Sequence, residues 1–214
     1  MITLLEYAKI ADEVYTASRG TACSIDGFEC VPGLAVDDDS VLRGGSLLSS
    51  GFQGRVFRKT STKECVIAFK GTKPSMASDL AADLKIVCEA VPRQAYQAIA
   101  ATEAWRGKLG GSKVTMTGHS LGGGIAQIVG ITTGVRFVTF NAPGMWTNAI
   151  GVCAFKRLTN TLQRGMNMIK WGDPVGNFGK HIGDTTRVRS MGHSIVGFID
   201  FLKTYPDRDK DPLA

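Results

Sequence analysis

The stretch VTMTGHSLGGGIAQIVG, residues 114–130, decides the fold. A run rich in β-branched residues stops at Gly118. His119 and Ser120 then sit between glycines, and a small-residue apolar run follows with no proline and no charge. β-branched side chains suit a pleated strand, while the run from Leu121 carries no breaker. The stretch reads as a strand over 113–117, a tight corner, and a helix over 121–131. Residues 118–122 fit G-x-S-x-G. As a bare pattern this is weak in a chain with 26 glycines. A strand before it and a helix after it give it weight, because that is the setting of a nucleophile elbow. There the serine takes strained backbone angles that lift its Oγ clear of the sheet. The new helix turns its first N–H groups toward the same point. The competing readings are a tight turn with an incidental serine and a phosphate-binding glycine loop. The second lacks G-K-[ST] and G-x-G-x-x-G.

Outward from the corner, strands and helices alternate. An amphipathic helix is expected over 3–17, with Leu4, Leu5, Ala8, Ile10, Ala11 and Val14 near helical spacing. Residues 20–45 read as loop, given Gly20, Gly27, Pro32–Gly33, the acidic run 37–39 and Gly44–Gly45. Strands over 54–58 and 64–69 flank a polar turn, a hairpin signal. A short helix is expected over 78–89, and a second from Pro92, a favoured first-turn residue, to about Leu109. Further strands are expected over 136–140 and 166–171, and helices over 151–164 and 193–203. The polar tail 204–214 is expected to fray. This order implies a single α/β domain over 1–214, α/β-hydrolase-like, with a mainly parallel sheet flanked by helices on both faces.

The chain has 214 residues, 43% apolar and 21% charged, with a net charge of +6, as for an ordinary globular protein. The basic residues are scattered, and neither a Lys/Arg block nor zinc-finger spacing is present, so nucleic acid is not an expected partner. The positive charge reads as an ordinary surface or as transient attraction to an anionic membrane. Five cysteines make no metal pattern. Cys23 and Cys30 could bridge in an oxidising compartment or stay free. No Sec signal or membrane-spanning run is evident, so the expectation is a cytoplasmic protein or export by another route. A monomer with no cofactor and no metal is expected.

A serine nucleophile needs a base, and only three histidines are available. His119 leaves the corner in a different direction from Ser120. His181 and His193 remain, and in this setting the chain order is serine, acid, histidine. Asp184 lies in a loop with no strand before it, and Asp200, Asp207, Asp209 and Asp211 lie past His193. Asp173 follows an apolar strand almost directly, which puts it at the carboxyl edge of the sheet with Ser120. His193, between Gly192 and Ser194, can reach back over that edge. His181 then reads as a rim histidine bonded within its own loop.

Together these residues resemble the class 3, fungal-lipase-like family of α/β-hydrolases. The resemblance spans residues 5–200. VIAFKGT (66–72) resembles a strand and oxyanion loop that usually reads F-R-G-[ST], and residues 78–83 resemble a following W-x-x-D segment. GHSLGG (118–123) resembles the family's elbow, FNAPG (140–144) its F-x-x-P-x segment, and Asp173-Pro174-Val175 the end of its N-x-x-D-x-V acid motif. Lys70 and Lys170 stand where the family has arginine and asparagine. Residues 78–83 lack the tryptophan, and residues 73–82 are short for a lid.

The resemblance implies an oxyanion hole from the backbone N–H groups of Thr72 and Leu121, a structural acid at Asp83, and His193 as base. It implies a serine esterase acting on lipid or small esters through Ser120, Asp173 and His193. Short proteins of this kind resemble secreted antibacterial phospholipase effectors of bacteria. Met76, Met145, Trp146, Phe178 and Ile195 are candidates for an acyl site or for ordinary packing. The rival expectations are a thioesterase with the same triad and a non-catalytic binding protein on the same scaffold.

Overall fold

The computed structural model describes residues 1–16, 23–37, 52–71, 84–152, 165–190 and 192–213. In chain order they form α1 (Leu4–Glu13), β1 (Phe28–Asp37), β2 (Gln53–Lys59), β3 (Cys65–Phe69), α2 (Leu84–Lys108), β4 (Val114–His119), α3 (Leu121–Thr133), β5 (Arg136–Phe140), α4 (Trp146–Val152), β6 (Gly165–Lys170), β7 (Asp184–Val188), α5 (Val196–Thr204) and a 3₁₀ turn at Pro206–Arg208.

One seven-stranded sheet takes its strands in sequence order. β1–β2 and β2–β3 are antiparallel, and every pairing from β3 to β7 is parallel. Alternation along β3 sends Cys65, Ile67 and Phe69 to one face and Val66 and Ala68 to the other. The first face packs on α2, α3 and α4 through Val91, Ala95, Ile125, Ile128 and Ala149. The second packs on α1 and α5 through Tyr7, Ile10, Phe198 and Leu202. Helices therefore cover both faces of a mainly parallel sheet, as the alternating order of elements implies.

The structure corrects several sequence expectations. The loop expected over 20–45 contains β1. Pro32 and Gly33 fall where its register with β2 breaks, between Cys30 and Ala35, on the sheet's outer strand, where a missing N–H is tolerated. α2 runs through Pro92 instead of breaking there. Its buried stripe of Val91, Ala95, Ala98, Thr102 and Trp105 recurs at helical spacing and outweighs one lost backbone bond. β4 runs on through His119, so the corner is Ser120 itself. Asp184 opens β7, a polar edge strand that the apolar pattern could not announce. The last helix starts at Val196, which leaves His193 in the connection before it. Of the helix expected over 151–164, α4 covers the beginning, and residues 153–164 lie outside the described residues.

The tail does not fray. Thr3 and Glu6 form a capping box at the start of α1. The next two N–H groups of that helix start donate to the tail, Leu4 to Lys210 O at 3.1 Å and Leu5 to Asp209 Oδ1 at 2.7 Å. Leu213 is buried beside them. Cys23, Cys30 and Cys65 are free thiols. Among the described residues no helix is long and apolar enough to cross a membrane.

Candidate active site

Ser120 stands between the end of β4 and the start of α3 with φ 56° and ψ −131°, a conformation a non-glycine residue adopts only under constraint. Its N–H donates to Phe140 O at 3.0 Å, and its carbonyl accepts from Gly124 N–H at 3.1 Å. Two glycines make the corner possible. A Cβ on Gly118 would fall 2.6 Å from Gly123 N, and one on Gly122 would fall 2.9 Å from Gly71 N and strike the Phe69 carbonyl. These obstacles are backbone and cannot swing away. Leu121 is the first residue of α3, so its N–H belongs to the turn that lacks intrahelical acceptors.

Asp173 follows β6 in a turn closed by Asn177. The Asn177 side-chain amide donates to the carbonyls of Lys170, Trp171 and Asp173 at 2.9, 3.2 and 2.8 Å. The carboxylate is 1% exposed. Its Oδ1 accepts the Val175 N–H at 3.0 Å, and its two oxygens lie 3.1 and 2.9 Å from His193 Nδ1. With Nδ1 committed to the carboxylate, the other ring nitrogen is the one able to take a proton. Among the described residues His193 Nε2 is buried with no hydrogen-bond partner, Ser120 Oγ included.

The other two histidines are occupied. His181 Nε2 lies 2.9 Å from Ala142 O, and burial pushes its pKa below the ordinary value. His119 Nε2 lies 2.7 Å from His193 O. A carbonyl only accepts, so this nitrogen carries the proton. Burial, reinforced by the neighbouring His193, lowers the His119 pKa to about 3, so the ring is neutral.

Thr72, Met76 and Asp83 lie outside the described residues. Gly71, just before Thr72, donates its N–H to the Tyr15 hydroxyl at 3.1 Å, and that hydroxyl donates to His119 O at 3.3 Å. Tyr15 thus ties the root of the expected oxyanion loop to the serine corner. Sequence reading missed this residue, and it missed Asn177 and Asn141 as well. All three act through bonds to backbone far away in the chain or inside a turn, and no motif marks such bonds. Of the candidate acyl residues, Met145 and Ile195 are buried in the packed core and Phe178 is exposed. Among the described residues no three His, Cys, Asp or Glu side chains gather as metal ligands.

The family model for a Tle-like phospholipase domain, described as phospholipase-like, matches residues 6–171. An extracellular phospholipase A1 of Serratia liquefaciens is 31% identical over 140 residues, 64% of this chain and 41% of that protein. The chain therefore spans about two fifths of that relative's length. The Lip2 lipase of Yarrowia lipolytica superposes with a TM-score of 0.56 at 15% identity, covering 86% of this chain and 77% of that one. A Rhizomucor miehei lipase in its propeptide complex gives 0.57 at 15%, covering 87% and 68%. At such identity the likeness is one of fold, that of the lipase α/β-hydrolases. The family match stops at Trp171, so what can be said of Asp173 and His193 comes from their own geometry.

Proposed function

Because the chain belongs to the Tle-like phospholipase domain family, we propose that it hydrolyses carboxylic esters of lipids, phospholipids foremost, with Ser120 as nucleophile. The observation that carries this reading is the state of His193: Nδ1 is held by a buried carboxylate, and Nε2 is buried without a partner among the described residues. A lone buried acceptor costs free energy in the folded state, and taking the serine proton is a use that accounts for keeping one here.

His193 Nε2 takes the hydroxyl proton as Ser120 Oγ attacks the ester carbonyl. Asp173 fixes the tautomer and stabilises the imidazolium. The oxyanion is held by the Leu121 N–H at the start of α3 and by the N–H of Thr72. Collapse of the tetrahedral intermediate expels the alcohol, which leaves with the proton from His193, and an acyl-serine remains. Water gives its proton to His193, attacks the acyl carbon and releases the acid, and Ser120 recovers its proton. Phospholipid is preferred as substrate on the strength of the family and of the Serratia relative's name. The net charge of +6 suits an anionic lipid surface. Trp171 and Val196, 65% and 48% exposed, stand where the chain leaves β6 and enters α5, near the proposed chemistry.

The test is release of fatty acid from phosphatidylglycerol, triolein and a short p-nitrophenyl ester, together with labelling by a fluorophosphonate. Wild type is expected to label at Ser120 and to favour phosphatidylglycerol, and Ser120→Ala to lose both activities. Turnover retained by Ser120→Ala would overturn the assignment.

A further inference from the structure

Among the described residues of the connection that carries His193, between β7 and α5, none belongs to a helix or strand that would hold it. An imidazole that must meet a carboxylate and a serine to within a fraction of an ångström needs some other support. The support is visible. Three successive carbonyls of this connection accept hydrogen bonds from three side chains at the ends of three neighbouring strands. Asn141, just past β5, donates through Nδ2 to Gly192 O at 3.3 Å and His193 O at 3.2 Å. His119, the last residue of β4, donates to His193 O at 2.7 Å. Lys170, the last residue of β6, donates through Nζ to Ser194 O at 2.7 Å. Asn141 Oδ1 in turn accepts the Lys170 N–H at 2.9 Å, which couples two of the donors.

All three donors are buried, with His119, Asn141 and Lys170 at 2%, 0% and 1% exposure. Polar side chains in such positions are costly, and an apolar residue would fill the space at less expense of desolvation. Lys170 is the extreme case. Burial pushes its pKa down, against the attraction of Asp173 and Asp200. Its ammonium lies 4.8 Å from the Phe198 ring centroid, and a Cβ on residue 197 would fall 2.5 Å from Nζ, so Gly197 makes room for it. Asn141 also satisfies one backbone N–H of β6, but the His119 ring and the Lys170 ammonium serve no strand pairing. What they share is the backbone of residues 192–194.

We infer that His119, Asn141 and Lys170 are positioning residues that suspend the His193 backbone from the ends of β4, β5 and β6 and so aim its imidazole between Asp173 and the serine. The inference rests on the ester-hydrolase reading above. His119 works as a neutral Nε2–H donor. Lys170 works as a long strap from the end of β6, past the Phe198 ring, to the carbonyl of the residue after the histidine.

The experiment compares Lys170→Met, His119→Leu and His119→Gln in the full chain. It reads kcat and KM on a p-nitrophenyl ester, the rate of fluorophosphonate labelling, and the far-downfield proton resonance of the His193 Nδ1–H shared with Asp173. Lys170→Met and His119→Leu are expected to lower kcat and the labelling rate on the order of 10- to 100-fold, with KM unchanged, and to broaden the resonance. Glutamine keeps an Nε2–H donor at a similar reach, so His119→Gln recovers most of the loss and the resonance. The inference is overturned if Lys170→Met and His119→Leu both stay within about twofold of wild type with a sharp resonance. It is equally overturned if His119→Gln is as impaired as His119→Leu. Should Lys170→Met fail to fold, the His119 pair decides. If wild type neither labels nor turns over, the hydrolase reading falls, and the resonance still decides the suspension.

Discussion

Ser120 is shaped mainly by the strand, glycines and helix that adjoin it in the chain, with one backbone bond to Phe140 O on the next strand, whereas His193 is held by side chains 24 to 74 residues away from the carbonyls they grip. The strand, the glycines and the helix of the serine corner all lie within residues 114–133, and the glycines let that stretch close on itself and on the backbone of Phe69 and Gly71. The histidine segment has no such frame and hangs from Asp173, His119, Asn141 and Lys170. A local device is fixed once the local sequence is right. A suspended one depends on the whole edge of the sheet. The two regions should therefore break differently. Damage to the corner should show first as lost stability, and damage to the suspension as lost rate in a protein that still folds.

The largest effect is expected from Asp173→Asn, which leaves the shape of the acid turn intact but removes the charge facing His193 Nδ1. An amide can present its N–H to that nitrogen and favour the wrong tautomer. A fall in kcat of about 10⁴-fold is expected, with a melting temperature close to wild type. The p-nitrophenyl ester assay and a thermal melt check both. A loss of activity below about tenfold would mean that the pair does not serve the proposed base.

A second test puts the same substitution in both regions. At Gly122 a new Cβ meets the Phe69 carbonyl and lies 2.9 Å from Gly71 N, so backbone must shift. Gly122→Ala should cost about 1–3 kcal/mol or more, read from urea unfolding, and carry activity down with it. Gly192 has φ 78° but nothing within 4 Å of its Cβ position. Gly192→Ala bears only conformational strain and should cost about 1–2 kcal/mol. A larger cost at Gly192 than at Gly122 would remove the distinction drawn between the regions.

The same contrast explains what the sequence could tell. The serine corner was legible because its determinants are contiguous: G-x-S-x-G, a β-branched run before it and a breaker-free run after it. Asp173 and His193 could be reached as candidates by elimination, since histidines are few and the chain order is restrictive, and the fold brings the two side chains together. The straps were not legible. Lys170 reads as an ordinary lysine ending a strand, and only the fold shows that it is buried and turned toward Ser194. β7 escaped for a related reason. DTTRV has no apolar alternation, and an edge strand with one pairing partner needs little. The tail was misread because its role, satisfying the first N–H groups of α1, joins the two ends of the chain.

Tyr15 links the serine corner to the expected oxyanion loop, so Tyr15→Phe tests whether the corner is as self-sufficient as its glycines suggest. The change removes the hydroxyl that accepts from Gly71 N–H and donates to His119 O. It keeps the ring that packs edge-on against His119 at 6.3 Å. A stability loss of about 1 kcal/mol is expected, with a severalfold fall in kcat and no change in KM. Stability lost with kcat unchanged would confine Tyr15 to folding and leave the corner independent of it.

The smallest effect is a slope against pH, and it probes the suspension through His119 alone. In the unfolded chain His119 binds a proton near the ordinary value of 6.5; in the fold, burial and the neighbouring His193 delay that proton to about 3. Between those values the unfolded state holds more protons than the folded state, so folding stability rises with pH across this window. The contribution of His119 is complete above about 6.5 and is lost progressively as pH falls toward 3. His181, whose pKa is also pushed down by burial, adds a slope of the same sign. His119→Gln keeps a donor for the His193 carbonyl but has no proton to gain, so urea midpoints measured from neutral pH into this acid window should fall less steeply than in wild type. His181 then accounts for part of the slope that remains. An unchanged slope would mean that His119 takes up its proton in the folded protein. That would contradict the neutral ring assigned to His119, but not its grip on the His193 carbonyl, since an imidazolium also donates from Nε2; the slope therefore tests the burial of this strap, and the donor substitutions test its pull.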